Sequence, residues 1–273
     1  MLRMESETGW WLITHPDHAR LAEDFAKAWG NAEFRKPEPR ARVLKGIACH
    51  DDGWVARDAH PSITRQGKPS AFSTDLVGKY SAFEEIDLQE YLAVRDRAMR
   101  IIAEHDPYAG LLISMHTCNL LTAHADRSTI DAAGLLLLDE FLTRLSAHQD
   151  ELRSRIAEDA TLSKSDAAEH TILEHFRLLQ ACDNLSLLTC VAYSSPAHLL
   201  HPLPLNNGGT AEVNVLPIAL RNFRLDPWPF AERELSFAFP ARHVNGKMFA
   251  DSQSLEVMFH AATVEQLSVT LTA

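Results

Sequence analysis

The polar residues with the most chemical interest are those that stand where a helix should bury apolar ones. His18 shares a helical spacing with Leu21, Ala22, Phe25 and Trp29. His50 lies three residues after Ile47 and four before Trp54, and His116 follows Leu112 and Ile113 at four and three. Asp183 follows Phe176 and Leu179 at seven and four. Such spacings share one helix face, so each of these side chains projects toward the core side of its own helix. Burying a carboxylate is costly unless it is paired, protonated or bound to a metal. A single such His is ordinarily a hydrogen-bonded core residue. Four core-facing His and Asp side chains on four helices, with Asp51 next to His50, call for mutual compensation. A divalent cation is the simplest common partner. Imidazole nitrogen and carboxylate oxygen suit Mn, Fe, Ni, Co or Zn, and no thiolate is required. One or two ions are expected.

Several neighbours have simpler explanations. Asp17, beside His18, suits the first turn of a helix, where a carboxylate meets the positive end of the helix dipole. His15 precedes Pro16 and is expected to pack or hydrogen-bond at the start of that helix. Trp54 reads as core. Asp52 precedes Gly53 at a helix end, which is routine turn chemistry.

The elements that must position these residues can be read from periodicity. Trp10 to Thr14 is a short apolar strand, and Thr14 can cap a helix over residues 16–29 that stops at Gly30-Asn31. Residues 41–52 form a second helix, ended by Gly53. Residues 58–75, rich in Pro, Ser, Gly and charge, form a long irregular loop of the sort that serves as a lid or is simply disordered. Helices follow over 88–105, 108–123, 130–158 and 164–193, the third carrying the stripe Leu135, Leu138, Phe141, Leu142, Leu145 and His148. After Ser194 the texture becomes β-like. Strands are expected at Glu234–Phe239, Leu255–Phe259 and Leu267–Leu271, with Asn245-Gly246 as a hairpin turn. The expected fold class is therefore mainly α, a helical bundle over residues 1–195 with a small antiparallel β appendage, residues 196–273, packed on it.

Composition narrows the partners. The chain has 273 residues, 46% of them hydrophobic and 23% charged, enough for a sizeable core. A formal charge of −11 argues against nucleic acid, whose counterions must be replaced by clustered Lys and Arg, and against anionic membranes. A small-molecule substrate or a protein partner is expected, with homo-oligomerisation left open. The N-terminal stretch lacks the basic-then-apolar layout of a signal peptide, and no apolar run approaches membrane thickness, so the expected location is cytoplasmic. Cys49, Cys118, Cys182 and Cys190 form no CxxC pair and read as free buried thiols near the His and Asp residues.

The ordered set of a helical His, a His-Asp doublet about thirty residues later, and a distant helical Asp resembles the HD superfamily of metal-dependent phosphohydrolases. Here it is His18, His50-Asp51 in ACHDDGW, and Asp183 in LLQACDNLSLL. Over nearly the whole chain the sequence is also similar to a bacterial family, the domain of unknown function 3891. The residues that carry this second resemblance are HPDHARLA, HDDGW, HDPYAGLLISMH and PWPF at Pro227-Trp228-Pro229-Phe230.

The HD resemblance implies an HD-like bundle in which His18, His50, Asp51 and Asp183 ligate a metal. It places His116 where larger HD enzymes carry extra ligands, with His124 and His175 as weaker alternatives. It implies metal-assisted hydrolysis of a small phosphorylated compound, with a nucleotide one option. Asp51 would ligate the metal and orient a water, with Asp52 and Asp58 as general-base candidates, and His116 would complete a second metal site, bind substrate phosphate or act as an acid. Lys45, Arg57, Arg65 and Lys68 could meet a phosphate, of which Arg65 and Lys68, in the long loop, are the choices for substrate binding. Two alternatives accompany this expectation: a di-iron oxygenase of the HD type, and a non-catalytic binding or sensory protein on the same scaffold.

Overall fold

The architecture was obtained as a computed structural model, which describes residues 1–79, 87–123 and 125–273. The chain opens with two strands, β1 (Leu2–Glu5) and β2 (Gly9–Ile13), paired as a hairpin. Then come α1 (His15–Ala28), α2 (Arg40–Cys49) and a short α3 (Val55–Asp58). Four longer helices follow: α4 (Leu88–His105), α5 (Pro107–Thr122), α6 (Ala132–Glu158) and α7 (Glu169–Cys190). The last part holds β3 (Ala197–His198), β4 (Leu203–Pro204), β5 (Thr210–Ala211), β6 (Asn214–Ala219), β7 (Asn222–Asp226) and β8 (Glu234–Asn245). It closes with α8 (Ser252–Ala261) and β9 (Val264–Thr272).

Helix starts follow local chemistry. Thr14 accepts from the Asp17 N–H at α1, and Asp87, Asp106, Asp131 and Asp251 cap α4, α5, α6 and α8 in the same way. Pro16 and Pro107 sit in first turns, where a missing N–H costs nothing.

The fold class departs from the expected one. The chain is 49% helix and 21% strand, and its strands form a seven-stranded, curled half-barrel rather than a small appendage. The strand order is β1-β2-β8-β9-β7-β6-β3, with every pair antiparallel except β7 and β9. The reason lies at the N-terminus. β2 pairs with the second half of β8, Leu12 opposite Arg242 and Gly9 opposite Asn245, so the two ends of the chain build one sheet. A single hydrophobic cluster then runs from Leu21, Phe25 and Trp29 of α1 through Leu179 and Leu185 of α7 to Phe223, Phe239 and Val269 in the sheet. A second cluster, including Trp54, Tyr91, Met99, Ile113, Phe141 and Leu145, joins α4, α5 and α6 to the turn after α2.

Two local expectations also change. Residues 255–259 are helix, within α8, because Leu255 and Phe259 are one helical turn apart and both buried. Asn245-Gly246 is not a hairpin turn, since α8 intervenes before β9 returns along β8 from Val264 opposite Arg242. The 58–75 segment does lack regular strands or long helices. It is pinned at two points: Phe72 accepts from the Arg3 N–H of β1 and donates to the Met1 carbonyl, and the Gly67 carbonyl accepts from the Phe249 N–H. Among the described residues no helix is long and apolar enough to cross a membrane.

Candidate metal centre

Four helices and one turn converge on a buried His and Asp cluster. His18 comes from α1, His116 from α5 and Asp183 from α7, while His50 caps the C-terminal end of α2 and Asp51 follows it. All five are buried, His50 completely. Gly53 permits the turn that presents His50 and Asp51: a Cβ there would overlap the carbonyl oxygen of Val94, so only glycine lets the turn lie against α4.

The hydrogen bonds fix which ring nitrogens face inward. The Nδ1–H of His50 donates to the Ile47 carbonyl at 2.7 Å, which leaves Nε2 as a lone pair, buried and without a hydrogen-bond partner. Ser186 donates its hydroxyl proton to the Asp183 carbonyl, so the 2.9 Å contact of its oxygen with His18 is an N–H donation from Nδ1. His18 likewise turns Nε2 inward, to within 3.0 Å of Asp51 Oδ2. This is how second-sphere groups orient metal-binding imidazoles.

With neutral imidazoles the inward nitrogens face carboxylate oxygens, so a proton or a cation must sit between them. His18 Nε2 stands 3.0 Å from Asp51 Oδ2, and His50 Nε2 stands 3.3 Å from Asp183 Oδ1 and 3.9 Å from Asp51 Oδ2. His116 Nε2 is 3.9 Å from Asp183 Oδ2, and its Nδ1 is buried without a partner. Metal–ligand bonds of about 2.0–2.2 Å put neighbouring ligand atoms of one ion about 3.0–3.5 Å apart, the spacing of the His18–Asp51 and His50–Asp183 pairs, while the other two pairs are wider. Two overlapping groups could hold a cation, His18 with His50 and Asp51, and His50 with His116 and Asp183. The donor set fits a divalent transition ion.

Electrostatics agree with an acceptor-rich cavity. Burial alone would lower the His50 pKa, but the Asp51 and Asp183 carboxylates outweigh it and raise it to about 9. A proton thus occupies Nε2 when no cation does. Burial lowers His116 to about 3, keeping it neutral. Burial opposes ionisation of Asp51 and Asp183, yet Arg95 with His50 holds the first well below the usual carboxylate range, and His50 lowers the second.

Arg95 of α4 was not singled out among the candidates. It is buried, its NH1 donates to Asp51 Oδ1, its Nε donates to the Tyr91 hydroxyl at 3.3 Å, and its guanidinium lies over Trp54 and Tyr91 at 5.3 Å. Its signal is the one used for His and Asp: Arg95 stands among the buried Tyr91, Leu92, Ala98 and Met99 on the apolar face of α4.

The other candidates lie elsewhere. Asp52 pairs with Arg20 at 3.0 Å in a partly exposed ion pair and belongs to neither cation group. Asp58 is buried and committed to His15, whose Nδ1 lies 3.0 Å away, and to the Met1 amino group at 2.9 Å. Burial opposes ionisation of Asp58, but its contacts with His15 and the Met1 amino group hold it well below the usual carboxylate range, while burial lowers His15 itself to about 4. His15 stacks on Trp54, which is core as expected, with centroids 4.4 Å apart. Arg65 is exposed and Lys68 half-buried, on a turn pinned by Gly67 to Phe249. Arg57 pairs with Glu90. His175 shares a 2.7 Å hydrogen bond with the Tyr108 hydroxyl, away from either cation group, and His124 lies outside the described residues. The four cysteines are free, Cys182 and Cys190 buried, Cys49 and Cys118 half-buried.

A family model with the description "Protein of unknown function (DUF3891)" matches residues 1–246. No curated protein and no solved structure matches the chain.

Proposed function

We propose that this chain, which belongs to the DUF3891 family, is a metal-dependent hydrolase of a small phosphorylated compound, with His18, His50, Asp51 and Asp183 holding a divalent transition ion. The observation that carries the reading is the buried set of facing groups: two imidazole nitrogens stand 3.0 and 3.3 Å from two carboxylates, a spacing that a proton or a cation must bridge. The ordered spacing of these residues, similar to that of HD phosphohydrolases, supports the same reaction class. Mn, Fe, Ni, Co and Zn all suit the donors. When bound, such an ion would acidify a water and polarise a phosphoryl oxygen.

The chain's own residues prepare that chemistry. Arg95 engages Oδ1 of Asp51 and leaves Oδ2 facing the imidazoles, so the carboxylate is held to one orientation. Ile47 and Ser186 lock the His50 and His18 rings. Among these groups the side chains of Asp183 (11% exposed) and Arg95 (9% exposed) are the least buried, which makes their side of the cluster the approach for substrate. A fixed guanidinium there favours an anion, as a phosphoryl group would be.

The test is elemental analysis of protein purified without chelator or added metal, beside His50→Ala and Asp183→Ala. Near-stoichiometric metal in the wild type and its loss from both variants is expected. Hydrolysis of phosphomonoesters and nucleotides by the metal-loaded wild type, absent from both variants, would follow. A wild type without metal that takes up none on titration would overturn the proposal.

A further inference from the structure

We infer that the mouth of the half-barrel, built from none of the His and Asp cluster's residues, is a second ligand site. It takes a small aromatic carboxylate, with the ring on Trp11 and the carboxylate on Arg221. The inference does not depend on the metal reading.

The sheet curls without closing, and strands from both of its ends reach an open cavity of about 550 Å³. The β1–β2 hairpin contributes Met4, Ser6 and Trp11, and the turn between β6 and β7 contributes Leu220 and Arg221. Small-molecule pockets commonly measure about 300–1,000 Å³ and recur in the mouths of β-barrels.

The apolar wall is already in place. Trp11 is half-buried, and the His243 ring meets it edge-on with centroids 4.9 Å apart. His243 Nε2 shares a 2.7 Å hydrogen bond with the Ser6 hydroxyl, whose oxygen also accepts from the Gly9 N–H at 3.0 Å. Met4 stands directly opposite Trp11 in the β1–β2 pairing, and Leu220, 74% exposed, lies on the other rim. An indole face beside a thioether favours a flat aromatic body over an alkyl chain.

Arg221 supplies the selectivity. It has φ 54°, in the left-handed region, within a two-residue turn between the paired Ala219 and Asn222. Glycine or asparagine ordinarily takes such a position, because a longer side chain is strained there. Here β9 holds the arginine in place twice. Its carbonyl accepts from the Thr270 N–H at 3.0 Å, and its Nε donates to the Ser268 carbonyl at 3.1 Å. Among the described residues the guanidinium forms no ion pair, so its two terminal nitrogens remain for an oxyanion. Backbone strain kept at a fixed, uncommitted cation marks a functional position.

The neighbouring charges narrow the ligand further. Lys247, the other cation on the cavity, is spent on Glu5 at 2.8 Å and on the Ser6 carbonyl. Glu7 is exposed on the same rim and has no cation partner among the described residues. One uncommitted guanidinium near one uncommitted carboxylate suits a singly charged acid and disfavours the double charge of a phosphate.

The test is calorimetric titration of the full chain with indole-3-acetate and phenylacetate. Two controls accompany them: tryptamine, which carries the ring without the carboxylate, and phenyl phosphate. Saturable binding of a carboxylate, tighter than either control, is expected. Arg221→Gly should weaken that binding about tenfold or more without lowering the melting temperature, because glycine relieves the left-handed strain. That variant therefore separates lost recognition from lost folding. Three outcomes would each overturn the inference: neither carboxylate binding at millimolar concentration, a control binding as tightly, or carboxylate binding unchanged in Arg221→Gly. All three would leave the hydrolase proposal standing.

Discussion

Arg95 and Asp51 are joined across the centre: NH1 of Arg95 donates to one carboxylate oxygen, and the other oxygen stands 3.0 Å from His18 Nε2. One side chain thus ties α4 to the His-Asp doublet. Removing one partner of a buried ion pair strands the other charge, at a cost of about 3–5 kcal/mol. Arg95→Ala should therefore lower the unfolding free energy of the metal-free protein by about that amount. A bound cation supplies Asp51 with a substitute positive charge. The loss in denaturant melts should then be smaller with saturating Mn(II) than without, and equal losses would show that Asp51 does not face the ion.

Gly53 is required by close approach, not by an unusual backbone angle. Gly53→Ala would push the turn carrying His50 and Asp51 away from Val94. Overpacking of this kind costs about 1–3 kcal/mol. Thermal unfolding should report that loss, and metal titration a weaker site, because the displaced turn carries two of the ligands. Wild-type melting and metal affinity in the Gly53→Ala variant would remove the role assigned to this contact.

The proton on His50 sets opposite pH trends for the empty and the loaded protein. The His50 pKa is about 9 in the fold against an ordinary 6.5, so its stabilisation is complete below pH 6.5 and is lost as pH rises through 9. The cation competes with that proton for Nε2, so cation binding strengthens with pH over the same window. Melting temperatures of metal-stripped protein should fall from pH 6.5 to 9, while the increment from added Mn(II) or Co(II) should grow. An increment that does not depend on pH would place the cation elsewhere.

Cys182 adjoins Asp183 but should be chemically silent. It is fully buried, and burial, reinforced by Asp183, pushes its thiol far above the usual range. A thiol reagent should label the half-buried Cys49 and Cys118 first, and reach Cys182 and Cys190 only at the rate of unfolding. Fast native labelling of Cys182 would show that the core beside the site opens readily.

What the sequence determined by itself was local. Apolar spacing set the helices, α4 agreeing with the expected 88–105, and Thr14 marked a real boundary, whereas the second helix ends at Cys49 and Gly53 lies in a short 3-10 turn beyond it. The same periodicity put His18, His50, His116 and Asp183 on buried faces, and the fold gathers them with Asp51 into two groups that share His50, because a helix cannot bury such residues without mutual neutralisation. The segment 255–259 was ambiguous for a physical reason. Leu255 and Phe259 are four apart, a spacing that fits one face of a strand and one turn of a helix equally well.

Tertiary structure alone decided the rest. That β2 pairs with β8 depends on a contact between residues 230 positions apart, Leu12 with Arg242, for which no local pattern exists. The same long-range pairing makes the sheet part of the main core and overturns a mainly helical fold. Arg95 likewise reads locally as one more cation on a helix. Only the packing of α4 against the turn at Gly53 puts its guanidinium on Asp51, because an ion pair is specified by where two elements meet and not by either one.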